Sequence, residues 1–206
     1  MNTSRTSRKG LFDRCRYAHL ALVACMVCGL ATAQEVAQIE VRVERVLPTT
    51  TLNKKTFNLR TSAFVHATPE QVWQVLTDYP RLPDFVPNLL SVRVVAHDGR
   101  DHILAQHGRT SLLFLKQDID ILVRVTETPM SAIDIVLISG DMQQYEAHWR
   151  MTPTEKNGVT GTQIGYTATM TPDFLVPPMI GLTLIEEDVK KMTLAVMAEI
   201  NKHAAQ

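Results

Sequence analysis

From residue 89 to residue 170 apolar and polar side chains alternate, segment after segment, and the alternation then gives way to one long run with helical spacing. A period of two sends successive side chains to opposite faces of a strand, so each segment buries one face and wets the other. A chain written this way folds as a sheet with one covered face, and an apolar element must cover it. The segments are 90–96 and 102–108, around the turn signal Asp98-Gly99-Arg100, a long stretch 112–126, then 133–137, 145–151 and, after Asn157-Gly158, 164–170. Ile119, Ile121, Val123 and Val125 share one face, and Tyr145, Ala147, Trp149, Met151, Ile164, Tyr166, Ala168 and Met170 extend it. After an exit loop with Pro172, Pro177 and Pro178, residues 180–203 place Leu182, Ile185, Val189, Met192 and Val196 at steps of three and four. Glu186, Glu187, Lys190 and Lys191 fall on the other side of this amphipathic helix, which is the expected cover.

Upstream, Ile39, Val41 and Val43 alternate with charged residues, residues 47–55 break the pattern, and Phe57, Leu59, Thr61, Ala63 and Val65 restore it. The two segments are expected to pair as a hairpin. Thr68-Pro69-Glu70-Gln71 is a helix start: Thr68 can accept from the Gln71 amide, Gln71 can reach back, and Pro69 suits the first helical position. Val72, Val75 and Leu76 make the buried stripe, and Pro80 ends the helix near Asp78-Tyr79. Pro80, Pro83 and Pro87 leave room for a short second helical piece carrying Leu82, Phe85 and Val86 inward. The plan is α+β: a curved antiparallel sheet around a long C-terminal helix, with two short helices after the first core strand.

The first 33 residues read differently. They hold Arg5, Arg8, Lys9, Arg14 and Arg16 against Asp13, then an apolar run over 20–30, then Ala31-Thr32-Ala33. This is the three-part pattern of a secretory signal, and cleavage is expected after Ala33. The apolar run has 11 residues, short of the roughly 20 that a spanning helix needs. A second reading takes Leu22-Val23-Ala24-Cys25 as a lipoprotein site that leaves Cys25 acylated at the new N-terminus. Signal removal deletes all three cysteines and leaves 16 basic against 20 acidic residues, a net charge of −4. A cysteine-free chain suits an oxidising compartment, here the periplasm, and excludes thiol chemistry. The acidic balance supplies no footprint for nucleic acid. The expected organisation is a signal peptide at 1–33, an extra strand and turn at 34–56, and one ligand-binding domain at 57–206.

The element order, together with the run Ala67-Thr68-Pro69-Glu70-Gln71-Val72-Trp73 through Asp78-Tyr79-Pro80-Arg81-Leu82-Pro83-Asp84-Phe85-Val86-Pro87, resembles the START-like (SRPBCC) superfamily. Within it the polyketide cyclase/coenzyme Q-binding branch is the most similar, over about residues 57–203. The resemblance implies a helix-grip fold with an apolar cavity between sheet and C-terminal helix, for lipids, quinones, polyketides or similar molecules. The extra N-terminal strand and the export signal depart from the intracellular members.

On this reading the cavity is lined by Phe85, Phe114, Ile121, Tyr145, Trp149, Tyr166, Met170, Ile185, Val189 and Met192. Rings and thioethers suit an adaptable apolar pocket, although each residue alone also reads as ordinary core. Tyr145 and Tyr166 are the sharper candidates, because a buried phenol needs a hydrogen-bond partner. His107, which shares a strand face with Ile103 and Ala105, is the candidate polar contact in the cavity. Phe174 and Leu175, between prolines, are a candidate gate able to touch a membrane surface transiently. His97, His102, His107 and His148 have no metal-ligand spacing, and no cofactor is expected. Ser111, Ser131 and Ser139 sit in no nucleophile elbow, and Asp118 and Asp120 share the face opposite the apolar set.

These features lead to an exported binding protein for a hydrophobic small molecule or lipid, with no catalytic residue assigned and protein partners left open. Two alternatives stand beside it. One is a polyketide cyclase/dehydrase-like enzyme in which Tyr145 or His107 moves a proton. The other is an envelope interaction module whose cavity is vestigial.

Overall fold

The computed structural model describes residues 40–46, 56–112, 115–174, 176 and 181–206. Ala33, Cys25, Phe114 and Leu175 lie outside them. Among the described residues, eight strands form one antiparallel sheet in the order β1-β2-β8-β7-β6-β5-β4-β3. They are β1 Glu40–Val46, β2 Thr56–Val65, β3 Leu89–Asp98, β4 Asp101–Leu112, β5 Leu115–Thr128, β6 Ala132–Gly140, β7 Met142–Lys156 and β8 Val159–Pro172. The helices are α1 Pro69–Thr77, α2 Leu82–Phe85 after a 3-10 turn at Tyr79–Arg81, and α3 Gly181–Ala204. All the strand neighbours from β3 to β8 are consecutive in the chain, and β2 crosses to β8 to place the extra strand β1 at the far edge. The curved sheet grips α3, as the hydrophobic pattern requires.

Local chemistry sets the entry to the grip. Thr68 Oγ1 accepts from the Gln71 amide at 3.3 Å and Gln71 Oε1 accepts from the Thr68 amide at 2.9 Å, so the expected capping box forms. Val72, Val75 and Leu76 are buried, again as the spacing requires. Thr68→Ala is expected to cost about 1 kcal/mol, read as a lower urea midpoint with unchanged slope. The short segment after α1 is fastened at both sides. Arg81 Nη2 donates to Glu199 Oε1 of α3 at 2.8 Å, and His203 Nε2 lies 2.8 Å from Gln74 Oε1, tying α1 to the same helix.

The core runs along the inner face of the sheet and under α3: Phe57, Leu59, Val65, Leu104, Val123, Val125, Ile133, Ala147, Val196 and Ile200 are all buried. One expected boundary is corrected. The sequence reads as one strand over 112–126, but β4 runs on to Leu112, which pairs with Leu115 at the start of β5. Leu112 and Leu115 are both apolar, and hydrophobic pattern alone does not reveal a reversal between them.

Candidate functional site

The residues of β4, β5, β7 and β8 that face α3 do not all meet it. Between them lies a cavity of about 260 Å³, walled by Leu59, Ile119, Ile121, Tyr145, Tyr166 and Met170 from the sheet and by Ile185, Val189 and Met192 from α3. A second chamber of about 200 Å³ lies beyond it, walled by Leu76, Tyr79, Leu82, Val86, Leu104, Val125, Ile133, Ile135, Trp149 and Val196. Leu89, Gln106, Tyr145, Tyr166 and Met192 line both, so these five side chains stand on the boundary of the two chambers. Their apolar walls and few polar groups match the general make-up of small-molecule sites.

Polarity is concentrated at that boundary and at the mouth of the outer cavity. Tyr145 and Tyr166 bring their hydroxyls to 3.5 Å. Burial raises the pKa of Tyr145, partly offset by the bond from its neighbour; burial, then the adjacent phenol's charge and hydrogen bond, raise Tyr166 well above the usual value. Both are therefore neutral phenols, able to donate. Trp149 stacks obliquely on Tyr166 with ring centres 4.6 Å apart and fixes its orientation. At the mouth Thr110 Oγ1 lies 3.4 Å from Asp188 Oδ2, and Arg109 is held by Asp118, whose pKa the guanidinium hydrogen bond lowers. Gly108 lets the strand pass close to Asn88: a Cβ there would stand 3.0 Å from the Asn88 carbonyl oxygen, which already accepts from the Arg109 amide.

The expected lining residues fall into four groups. Ile121, Tyr145, Tyr166, Met170, Ile185, Val189 and Met192 line the outer cavity, and Phe174 joins them at its mouth. Trp149 belongs to the inner chamber. Phe85 packs against the core but lines neither chamber; Leu82 and Val86 of that segment do. Phe114 and Leu175 are outside the described residues.

His107 is a correction. It points to the outer face, where its Nδ1 lies 2.9 Å from Asp120 Oδ1, and it does not enter the cavity. The inner face of β4 carries Leu104 and Gln106, because Gln106 pairs with Ile121 and Leu104 with Val123, both inward residues of β5. Ile103 and Ala105 made the other face look like the buried one. Once the parity is set, Gln106 is the polar residue the sequence reading missed, and Asp188 is another, at the mouth.

A polar cluster borders the inner chamber. Tyr79 donates to Glu127 Oε1 at 2.5 Å, His102 Nε2 lies 3.1 Å from the same oxygen, and His102 Nδ1 lies 3.2 Å from His97 Nδ1. It clasps the 3-10 turn to the sheet. On the outer face Asp134 meets both His148 and Arg150 at 2.7 Å. Among the described residues no three His, Cys, Asp or Glu side chains gather in a metal-binding group.

A curved antiparallel sheet closed by one long helix over apolar chambers defines a helix-grip fold. The chain belongs to the family of polyketide cyclases/dehydrases and lipid transport proteins, which it matches over residues 65–197. Solved START-like structures share the fold. The ZhuI aromatase/cyclase from Streptomyces sp. R1128 is 15% identical, with 73% of this chain and 94% of that one covered at a TM-score of 0.58. A STAR-related lipid transfer protein from Xanthomonas axonopodis is 12% identical, covering 76% and 98% at 0.58. A START superfamily protein from Mycobacterium smegmatis is 17% identical, covering 70% and 97% at 0.58. No curated protein matches the chain.

Proposed function

We propose that this protein is exported to the periplasm, loses residues 1–33 and carries a hydrophobic small molecule or lipid, quinone-, lipid- or polyketide-like, between sheet and α3. The observation that carries the reading is the pair of neighbouring chambers, whose walls are mostly aliphatic and aromatic. Family membership supports it, as does the tripartite start of the sequence. The full chain, expressed with export intact and purified natively, is expected to yield a discrete organic-extractable mass in native mass spectra. It is also expected to begin at Gln34, whereas an acylated Cys25 terminus would establish the lipoprotein form. A clean ligand-free mass, with no uptake of an apolar dye, would overturn carriage.

The cyclase reading keeps one observation in its favour, the neutral phenol pair inside the cavity, which can donate a proton to a substrate oxygen. Tyr145→Phe would then abolish turnover of a polyketide-like substrate while leaving its binding nearly intact. Phe174 lines the mouth, where a ligand must pass. Phe174→Asp is expected to slow ligand transfer to liposomes several-fold, since a charge there opposes contact with an apolar surface. Unchanged transfer rates would remove the gate.

A further inference from the structure

The β3–β4 hairpin brings two imidazoles together at the end of the sheet. Its turn at Gly99 and Arg100 sets His97 directly opposite His102 in the ladder, so both side chains stand on one face. Their Nδ1 atoms are 3.2 Å apart and their ring centres 4.4 Å apart, so the rings turn their Nδ1 edges toward each other. Neither residue lines the two chambers. His97 is exposed, and solvent reaches the pair from its side.

Glu127 decides what His102 can do with that nitrogen. Its Oε1 lies 3.1 Å from His102 Nε2 and also accepts the Tyr79 hydroxyl at 2.5 Å. A carboxylate only accepts, so His102 Nε2 carries the hydrogen and the lone pair of the neutral ring is on Nδ1. Burial and the neighbouring Glu127 keep Tyr79 protonated, so it remains a donor. A carboxylate on the far nitrogen is the support that metal-ligating histidines ordinarily have: it fixes the ring and makes the free nitrogen more basic. Tyr79, Glu127 and His102 form such a chain, and it ends at a nitrogen aimed at His97.

The separation suits a divalent ion. With metal–nitrogen bonds of about 2.0–2.1 Å, two nitrogens 3.2 Å apart subtend about 100–105° at the ion, between the cis angle of a square-planar site and the tetrahedral angle. In the neutral protein the His97 Nδ1 hydrogen occupies this gap. On binding, His97 takes its other tautomer, with the hydrogen on Nε2, and the ion replaces that hydrogen between the two Nδ1 atoms. Imidazole ligands favour copper, nickel and zinc, whereas magnesium and calcium seek oxygen.

We propose that His97 and His102 form a two-imidazole site for a divalent transition-metal ion, Cu²⁺ before Ni²⁺ or Zn²⁺, with Glu127 and Tyr79 as its supporting groups. No third His, Cys, Asp or Glu joins them among the described residues, so water completes the coordination. The site stands apart from the hydrophobic-ligand reading and does not depend on it.

The test uses the full chain, exported, purified natively and cleared of metal with a chelator. It is titrated with CuCl₂ in the presence of glycine, which masks weaker histidine sites. One Cu²⁺ per chain is expected, with an electron paramagnetic resonance spectrum that shows coupling to two imidazole nitrogens. Glu127→Gln, which keeps an acceptor for both donors and removes the charge, should weaken binding about tenfold, and His97→Asn, which removes a ligand, by more. His148→Asn, on the outer face, should leave the affinity unchanged. Affinity that survives His97→Asn, or that is lost equally in His148→Asn, overturns the site. If a variant misfolds, the unaltered protein decides. One equivalent of ZnCl₂ should shift the ring nitrogen-15 resonances of His97 and His102 together, ahead of the other histidines, and resonances that stay in place overturn the proposal.

Discussion

Met192→Trp is expected to destroy binding of any ligand that reaches the inner chamber while leaving the protein folded. Met192 of α3 lines both chambers, so an indole there takes up ligand space on their common boundary. A ligand segment shut out of the inner chamber forfeits burial of on the order of 100 Å² of apolar surface, about 2.5 kcal/mol, which is roughly seventyfold in affinity. The bulk costs the fold about 1–3 kcal/mol if the core must shift, and less because it enters empty space. Met192→Leu, nearly equal in volume, should keep both binding and stability. Dye displacement and thermal unfolding on the three proteins check this. Full binding by the tryptophan variant would mean that the ligand does not use the space beside Met192.

Stability should collapse in alkali. Burial, then the hydrogen bond and charge of Glu127, raise the pKa of Tyr79; burial likewise raises Tyr145 and Tyr166. The folded-state values therefore lie above the value of about 10 for a phenol in the unfolded chain. Below that pH all three are protonated in both states, and their contribution is fully present. Above it the unfolded chain binds fewer protons than the folded one, so stability falls by about 1.4 kcal/mol per pH unit per phenol, roughly 4 kcal/mol per unit for three, until the folded-state values are passed. Urea midpoints between about pH 9 and 11 should drop steeply, with phenolate absorbance appearing together with unfolding. Tyr166→Phe should remove about a third of the slope. Phenolate absorbance rising in the folded protein near pH 10 would show that the rings are not sealed as described.

Much of this fold was legible from short-range signals. The capping box at Thr68 and Gln71 is visible because both partners lie within one helical turn. The strands on either side of Asp98-Gly99 are visible for a similar reason: Gly99 takes the left-handed conformation, with φ of +58°, that the hairpin requires. The run of inward residues on β5, β7 and β8 was equally clear, since their opposite faces are polar. Most of the expected residues among those described line one of the two chambers.

The failures share one cause. In β4 the face of Ile103 and Ala105 is as apolar by sequence as the face of Leu104, and alternation cannot choose between two such faces. Cross-strand register chooses: Leu104 opposite Val123 and Gln106 opposite Ile121 turn His107 outward to Asp120. Phe85 was expected in the cavity because it is large and apolar, yet its place at the end of α2 sends Leu82 and Val86 to the chamber wall instead. Asp188 and Thr110 are 78 positions apart, and only the fold brings them together.

Sequence alone thus determined the period of each element, its caps and the apolar stripe of α3, because those depend on residues within about four positions of one another. Tertiary structure alone decided which inward side chains close on each other and which stand back to leave the two chambers. That choice is set by strand register and by where α3 crosses the curved sheet, and neither is encoded in any one segment.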